Sequence, residues 1–323
     1  MNSIWVLPAS LLLDLGFGDP QGLPHPVRFI GKFARYMEKV SRKYIRSERF
    51  AGCITAFSVY SLSFIFPWII IKLSSYIHPF LAELASAFII YTSIALKDLL
   101  DHSNDVYSAL RENDLKKARI MVGKIVGRDT ANLEEPEIVR AGLESLGESL
   151  VDGITAPLFF AALGGPAFAM LYRSINTLDS LFGYKNETYL KFGWASARID
   201  DIANYIPARL TAPILCVSAA ILGFHPLRSF KVLIRDGRKH PSPNSGLCEA
   251  ALAGALKIQL GGQNYYSGIP SEKPKLGDPD RKLASTLILD ANKIIFLTSI
   301  LSSILFLGLG QISHLILGTF YNL

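Results

Sequence analysis

Residues 50–71, FAGCITAFSVYSLSFIFPWIII, run without one charged side chain. Residues 153–172 do the same, and so does everything from Ile294 to Leu323. A helix that crosses the hydrocarbon core of a bilayer needs about 20 mainly apolar residues. The first and last runs are therefore expected as spans, at about 51–72 and 290–318. The stretches 79–98 and 206–224 are expected as two more, because Glu83 and Arg209 sit near their ends, where a charge costs less than at mid-bilayer. Charged residues make up 19% of the chain, against about 25% in an ordinary soluble domain. The expected fold class is all-α: a multi-pass integral membrane protein, with residues 1–323 as one membrane-embedded domain.

The run 154–172 is interrupted by Gly164-Gly165-Pro166. If it spans fully, the polar segments 97–153 and 173–205 lie on opposite sides of the membrane and cannot share one site. A re-entrant or protein-buried helix removes that conflict. Irregular backbone at membrane depth is tolerated only where it is buried or lines a cavity.

The apolar N-terminus lacks a basic flank and a small-residue cleavage site, so a short membrane-embedded or interfacial helix is expected there rather than a signal peptide. Cys53, Cys216 and Cys248 are far apart and form no CxxC, which indicates neither a disulfide framework nor a zinc site. Residues 28–49 hold eight Lys/Arg and two Glu. The pattern reads as a basic amphipathic helix after the Pro/Gly loop 18–31. Beside a span it is expected to face the cytoplasm and to touch anionic lipid. Nucleic acid is not an expected partner, because no reader motif accompanies the charge.

Three polar segments carry candidate chemistry: 99–152, 173–205 and 225–285. In the first, Arg140, Glu144, Glu148 and Asp152 recur every four residues, on one side of a helix. One reading is a solvated face with an Arg140–Glu144 ion pair. The other is a cation site, since like charges at i,i+4 disfavour a helix unless something neutralises them. Magnesium takes carboxylate oxygens together with substrate phosphates. Asn132 is the expected N-cap of this helix, with Glu135 closing a capping box.

The second segment, 176–210, holds Asn176, Asp179, Lys185, Asn186, Arg198, Asp200, Asp201, Asn204 and Arg209. That mixture suits a metal–phosphate site better than an apolar pocket. Arg198 and Asp201, and Asp201 and Tyr205, are spaced to share helix faces. In the third, Asn244-Ser245-Gly246 reads as a turn or N-cap before a small-residue helix carrying Glu249, with Gly261-Gly262 ending it. Close packing is the favoured reading of its alanines and Gly254. His25, held between prolines with Arg28 nearby, is a candidate for substrate contact. No P-loop, HExxH or GxSxG is present. Asp152-Gly153 is not followed by the spaced aspartates of membrane alcohol phosphatidyltransferases.

Taken together, DLGFGDPQGLPHPVRFIGK, GRDTANLEEPEIVRAGLESLGESLVDGITAPLFFAALGGP, YRSINTLDSLFGYKNETYLKFGWASARIDDIANYIPARLTA and HPSPNSGLCEAALAGALKIQLGGQNYYSGI resemble the adenosylcobinamide-phosphate synthase family of membrane cobalamin-biosynthesis enzymes. The likeness covers most of residues 10–280 in the family's order. Ser149 departs from it, since the family usually has Asn after the equivalent of Glu148. The resemblance implies ATP-dependent amide formation between adenosylcobyric acid and (R)-1-amino-2-propanol O-phosphate, with Mg2+ required and ATP as co-substrate.

The charge clusters and the chemistry of that reaction together give expected roles. Glu144, Glu148 and Asp152 are expected as catalytic carboxylates that act as base or hold Mg2+. Glu148, Asp152, Asp179, Asp200 and Asp201 are expected around the metal. His25, Arg28, Arg128, Asn176, Lys185, Asn186, Arg198, Asn204, Arg209 and Asn244 are expected to contact substrate or nucleotide. Expected partners are the corrinoid, the aminoalcohol phosphate and the bilayer. Other membrane proteins of the pathway, and further copies of the chain, extend that set. The expected location is the cell membrane, with the site facing the cytoplasm. A multi-pass transporter with intramembrane carboxylates is the rival reading, and a non-catalytic membrane scaffold is a third.

Overall fold

The computed structural model describes residues 4–19, 25–184 and 186–321. Helices α1 (Val6–Phe17), α2 (Pro26–Tyr44), α3 (Glu48–Ile77) and α4 (Pro79–Tyr91) come first. They are followed by α5 (Leu96–Arg111), α6 (Leu115–Val122) and α7 (Glu135–Leu150). A π-helical turn, Val151–Thr155, leads into α8 (Ala156–Phe182). Then come α9 (Trp194–Ala203), α10 (Tyr205–Ile221), α11 (Pro226–Asp236) and α12 (Ser245–Leu256). Strands β1 (Gln259–Tyr266) and β2 (Ile269–Gly277) precede the last helix, α13 (Thr286–Tyr321). Among the described residues, four helical runs are long and apolar enough to cross a bilayer: Glu48–Ile77, Pro79–Arg111, Glu135–Phe182 and Thr286–Ile312. The protein is a multi-pass helical membrane protein. The segment 206–224 forms the shorter helix α10, outside that set. Where the sequence reads as one domain, contacts group the chain into two compact units.

The first unit comprises residues 1–95, 156–204 and 303–323. Pro26 opens α2 at its first turn, where a missing N–H costs nothing. Ile30, Ala34 and Ser41 form its buried face, and the Lys/Arg residues are spread over the remainder. Ser47 caps α3 by accepting from the Phe50 N–H at 3.4 Å. At 1.5 Å per residue a 30-residue helix is about 45 Å long, more than the hydrocarbon core requires. The core gathers Val59, Ile89, Met170, Leu178, Phe182 and Phe192. Gly52 belongs here because a Cβ on it would lie 1.8 Å from the Phe192 carbonyl oxygen. In α8 the Gly-Gly-Pro break is real. Gly165 has φ 71° and ψ −160°, a conformation glycine adopts without steric cost.

The second unit comprises residues 96–155 and 205–302. At its centre α12 is buried from Gly246 to Leu256. Its small residues allow neighbouring backbone to come close. A Cβ at Gly254 would meet Arg228 and Ser229 backbone at 2.7 Å, and one at Gly147 of α7 would meet Glu249 Cγ at 3.1 Å. The expected close packing is therefore what this helix does.

Several local expectations are corrected. The α7 capping box uses Glu134 as N-cap and Glu137 three residues on, not Asn132 and Glu135. Pro136 sits within that first turn and fixes the start. In the polar segment 225–285 the expected small-residue helix is joined by a second helix, α11, and by the antiparallel hairpin β1–β2. Gly261 and Gly262 do not end α12. Lys257 does, in a left-handed conformation, and the two glycines, at φ 83° and 90°, form an irregularity in β1. Asp129 holds the hairpin turn by accepting the N–H groups of Ser267 at 3.1 Å and Gly268 at 2.7 Å. Asp201 and Tyr205 do not share a continuous helix, because α9 ends before Asn204 and α10 begins after it.

Candidate functional site

The α7 stripe is not a solvated face. Arg140 is 9% exposed and Glu144 3%. The expected Arg140–Glu144 pair is replaced by long-range contacts. Glu144 forms its ion pair with Arg128 and accepts the Gly261 N–H at 2.8 Å. Arg128 also donates to the side chain of Asn264. Arg140 donates to the Gly261 carbonyl and, at 2.7 Å, to that of Gln263. It also reaches Asn264 Oδ1 at 3.2 Å. A guanidinium presents five donors in a fixed fork, and both arginines use theirs to fasten the hairpin to α7. The burial of this face follows from the hairpin lying against it, which helix spacing alone does not reveal.

One turn further along, Glu148 is exposed. Ser245 Oγ donates to its Oε1 at 3.4 Å. Asn244 caps α12 and accepts from Arg209 Nη1 at 3.2 Å. The Arg209 guanidinium lies 3.4 Å from the centroid of the Tyr205 ring. Asp152 is half-buried in the π-helical turn. The second unit thus carries Arg128, Glu144, Glu148, Asp152, Arg209 and Asn244.

Behind this rim are three residues outside the expected set. His240 Nε2 and Glu249 Oε1 stand 4.0 Å apart, with side chains 11% and 2% exposed. Among the described residues, neither atom has a hydrogen-bond partner. His240 Nδ1 accepts the Ser242 N–H at 3.0 Å, so the neutral ring carries its proton on Nε2. Burial, and then the positive charge of Lys273, push the His240 imidazole down to about 4. Burial holds the Glu249 carboxyl well above the usual carboxylate range, with Lys273 opposing it. For Lys273 burial works to lower the ammonium, but Glu249, Glu144 and Glu148 outweigh it and the net shift is upward. The sequence signal for Glu249 was present: a lone carboxylate in the otherwise apolar SGLCEAALAGAL.

The remaining expected residues lie in the first unit. Asn204 is 2% exposed. It accepts from Tyr172 Oη at 2.7 Å and donates to Asp200 Oδ2 at 3.0 Å, a buried network. Asn176 Oδ1 is 3.5 Å from Arg173 Nη1. Asn186 accepts the Tyr189 N–H at 3.0 Å and shapes the turn before α9. Asp179 neighbours Gly183, where a Cβ would fall 2.0 Å from its Oδ1. Arg198 is exposed and Asp201 half-buried on α9. His25 Nε2 is 3.2 Å from Asp19 Oδ1 at the start of α2, with Arg28 in the first turn. Lys185 lies outside the described residues.

Among the described residues, no three His, Cys, Asp or Glu side chains converge as a metal-ligand cluster. That disfavours an all-protein cage. It leaves room for the usual Mg2+ arrangement of one or two carboxylates completed by substrate phosphates and water. Glu148 and Asp152, neither of them buried, suit that arrangement.

The CobD/Cbib protein family matches residues 7–295. A relative from Leptospira interrogans, "Cobalamin biosynthesis protein CobD", is 57% identical over 303 residues, covering 94% of this chain and 96% of the relative. A protein of the same name from Geobacter metallireducens is 45% identical over 281 residues, covering 87% and 88%. "Cobalamin biosynthesis protein CbiB" from Salmonella arizonae is 41% identical over 300 residues, covering 92% and 94%. No solved structure matches it significantly. The chain belongs to the CobD/Cbib protein family.

Proposed function

We propose that this protein is an ATP-dependent amide-forming ligase of cobalamin biosynthesis. It joins a carboxylate of adenosylcobyric acid to the amine of (R)-1-amino-2-propanol O-phosphate and gives adenosylcobinamide phosphate. One observation carries the reading: the family match spans residues 7–295, and the relatives that cover nearly the whole chain bear cobalamin-biosynthesis names. The transporter reading has no comparable support.

The chemistry sets what the residues must do. A carboxylate is a poor acyl donor, so ATP converts it to an acyl phosphate and the amine displaces inorganic phosphate. Mg2+, when bound with the nucleotide through Glu148 and Asp152, supplies positive charge to the phosphate oxygens. Arg209, half-buried beside Asn244, would neutralise phosphate charge by the same logic. Arg128 is committed to Glu144 and Asn264 and serves to hold the wall. The basic helix α2 adjoining the span α3 supports a cytoplasmic placement of that end of α3.

The test uses the full chain purified in detergent with adenosylcobyric acid, (R)-1-amino-2-propanol O-phosphate, ATP and Mg2+. Mass spectrometry follows the cobinamide product and a coupled assay follows ATP. Product that appears only with ATP and Mg2+ is expected. Folded protein that yields no amide, or that yields it without ATP, overturns the reading.

A further inference from the structure

His240 Nδ1 anchors its loop through the Ser242 N–H, but the facing atoms His240 Nε2 and Glu249 Oε1 make no bond that holds the fold among the described residues. Buried polar atoms in native proteins are nearly always partnered, and each exception calls for a reason. Here a donor, His240 Nε2–H, and an acceptor, Glu249 Oε1, face one another at 4.0 Å, too far to bond each other. Both lack partners among the described residues, and Lys273, paired with Gly262 across the β1–β2 hairpin, adds a positive charge felt by both. The rest of the surrounding charge comes from Glu144 and Glu148 of α7 and from Arg128. Arg128 and Glu144 neutralise each other as an ion pair.

A group that satisfies this cluster must donate N–H or O–H to Glu249 and present an anionic oxygen to His240 and Lys273. A zwitterion with an ammonium and a phosphate a few bonds apart has both. A simple amine satisfies only the carboxylate, and a simple phosphate only the two cationic or donor groups. We propose that His240, Glu249 and Lys273 form the binding subsite for a phosphorylated amino alcohol, with its ammonium on Glu249 and its phosphate on His240 and Lys273. This rests on the amide-forming reading above and names the subsite of its amine substrate. The raised affinity of Glu249 for a proton has the same origin: a buried carboxylate without enough compensating donors gains from an ammonium beside it. The loop His240–Asn244 beside the pair is held in a turn by Ser242 Oγ, which accepts the Asn244 and Ser245 N–H groups at 3.3 and 3.4 Å.

The test is calorimetric titration of the detergent-solubilised full chain with three probes: (R)-1-amino-2-propanol O-phosphate, 1-amino-2-propanol and propyl phosphate. The zwitterion is expected to bind tightest. Glu249→Gln is expected to weaken the zwitterion at least 10-fold and leave propyl phosphate unchanged. Lys273→Met is expected to weaken the zwitterion and propyl phosphate together. Circular dichroism and melting confirm that the variants fold, and Glu249→Asp and His240→Asn serve if either first choice does not. Folded variants that bind the zwitterion like the native chain overturn the subsite, as does a native chain that does not bind it. If binding depends on Glu249 but the native chain makes no amide, the subsite stands and the ligase reading fails. If amide forms and KM for the amine is unchanged in Glu249→Gln, the ligase reading stands and the subsite fails.

Discussion

The backbone N–H of Gly261 donates to Oε1 of Glu144 at 2.8 Å, across 117 residues of sequence. The first carboxylate of the α7 stripe is therefore occupied by the hairpin, while Glu148, one turn on, is exposed. Two carboxylates that look alike in the sequence stand in opposite environments.

That difference is measurable. Glu144→Ala leaves Arg128 buried without its anion, which costs about 3–5 kcal/mol, so the melting temperature should fall steeply. Glu148→Gln removes an exposed carboxylate and should leave melting within about 0.5 kcal/mol of native stability. Its amide synthesis should fall at least 10-fold, with a raised Mg2+ requirement. Equal melting of the two variants would contradict this division.

Asn204 provides a second contrast. It bonds Tyr172 and Asp200 in a buried network. Asn204→Ala removes one hydrogen bond from each of them and should cost about 1–3 kcal/mol. The KM for ATP should stay at its native value, since the side chain is buried and bonded inside the unit. A raised KM for ATP with unchanged melting would restore the nucleotide contact expected from the sequence.

The pH dependence of stability follows from two buried groups with opposite signs. Unfolded histidine titrates near 6.5, whereas folded His240 is pushed down to about 4. Between those values the unfolded chain binds the extra proton, so this residue makes stability rise with pH. Glu249 is raised in the fold, so above the ordinary carboxylate range the folded chain keeps the extra proton. That makes stability fall as pH rises above that range. The two groups act with opposite sign in the native chain. His240→Asn should leave a stability that declines with pH from about 4.3 upward, and Glu249→Gln one that climbs toward about 6.5. Denaturation midpoints across pH 4–7 for the three proteins check the crossing, and parallel curves would contradict it.

Packing in the first unit is tested at Gly52, where a Cβ would lie 1.8 Å from the Phe192 carbonyl. Gly52→Ala pushes backbone against backbone between α3 and the segment before α9. Overpacking of this kind costs about 1–3 kcal/mol, and rigid backbone places it at the upper end. Ala51→Gly, on the neighbouring buried position, creates no clash and should cost about 1 kcal/mol, the helix-propensity difference. Thermal unfolding in detergent distinguishes them.

Much of the fold was legible because it depends on local composition and period. Uncharged runs marked α3, α8 and α13, since lipid tolerates a helix that satisfies its own backbone and rejects most charges. Gly164-Gly165-Pro166 marked the break in α8 because only glycine adopts that backbone freely. The small residues of α12 marked a close-packed helix. The hairpin β1–β2 escaped notice: QLGGQNYYSGIPSEKPKLG is polar and glycine-rich, and its burial against α7 comes from partners far away.

The sequence by itself determined where the helices run, which of them can cross a membrane, and which segments concentrate charge. Only the tertiary structure decided what that charge does. Four-residue spacing gave Arg140 and Glu144 to each other, as it would on a solvated helix. Burial gave Glu144 to Arg128 and Gly261, and Arg140 to the carbonyls of Gly261 and Gln263. The physical reason is desolvation. A buried charge must find every hydrogen bond it can, and the partners that satisfy it are chosen by which backbone lies within 3 Å, not by which residue lies four places away. The same desolvation set apart His240 and Glu249, whose facing atoms are still unpartnered.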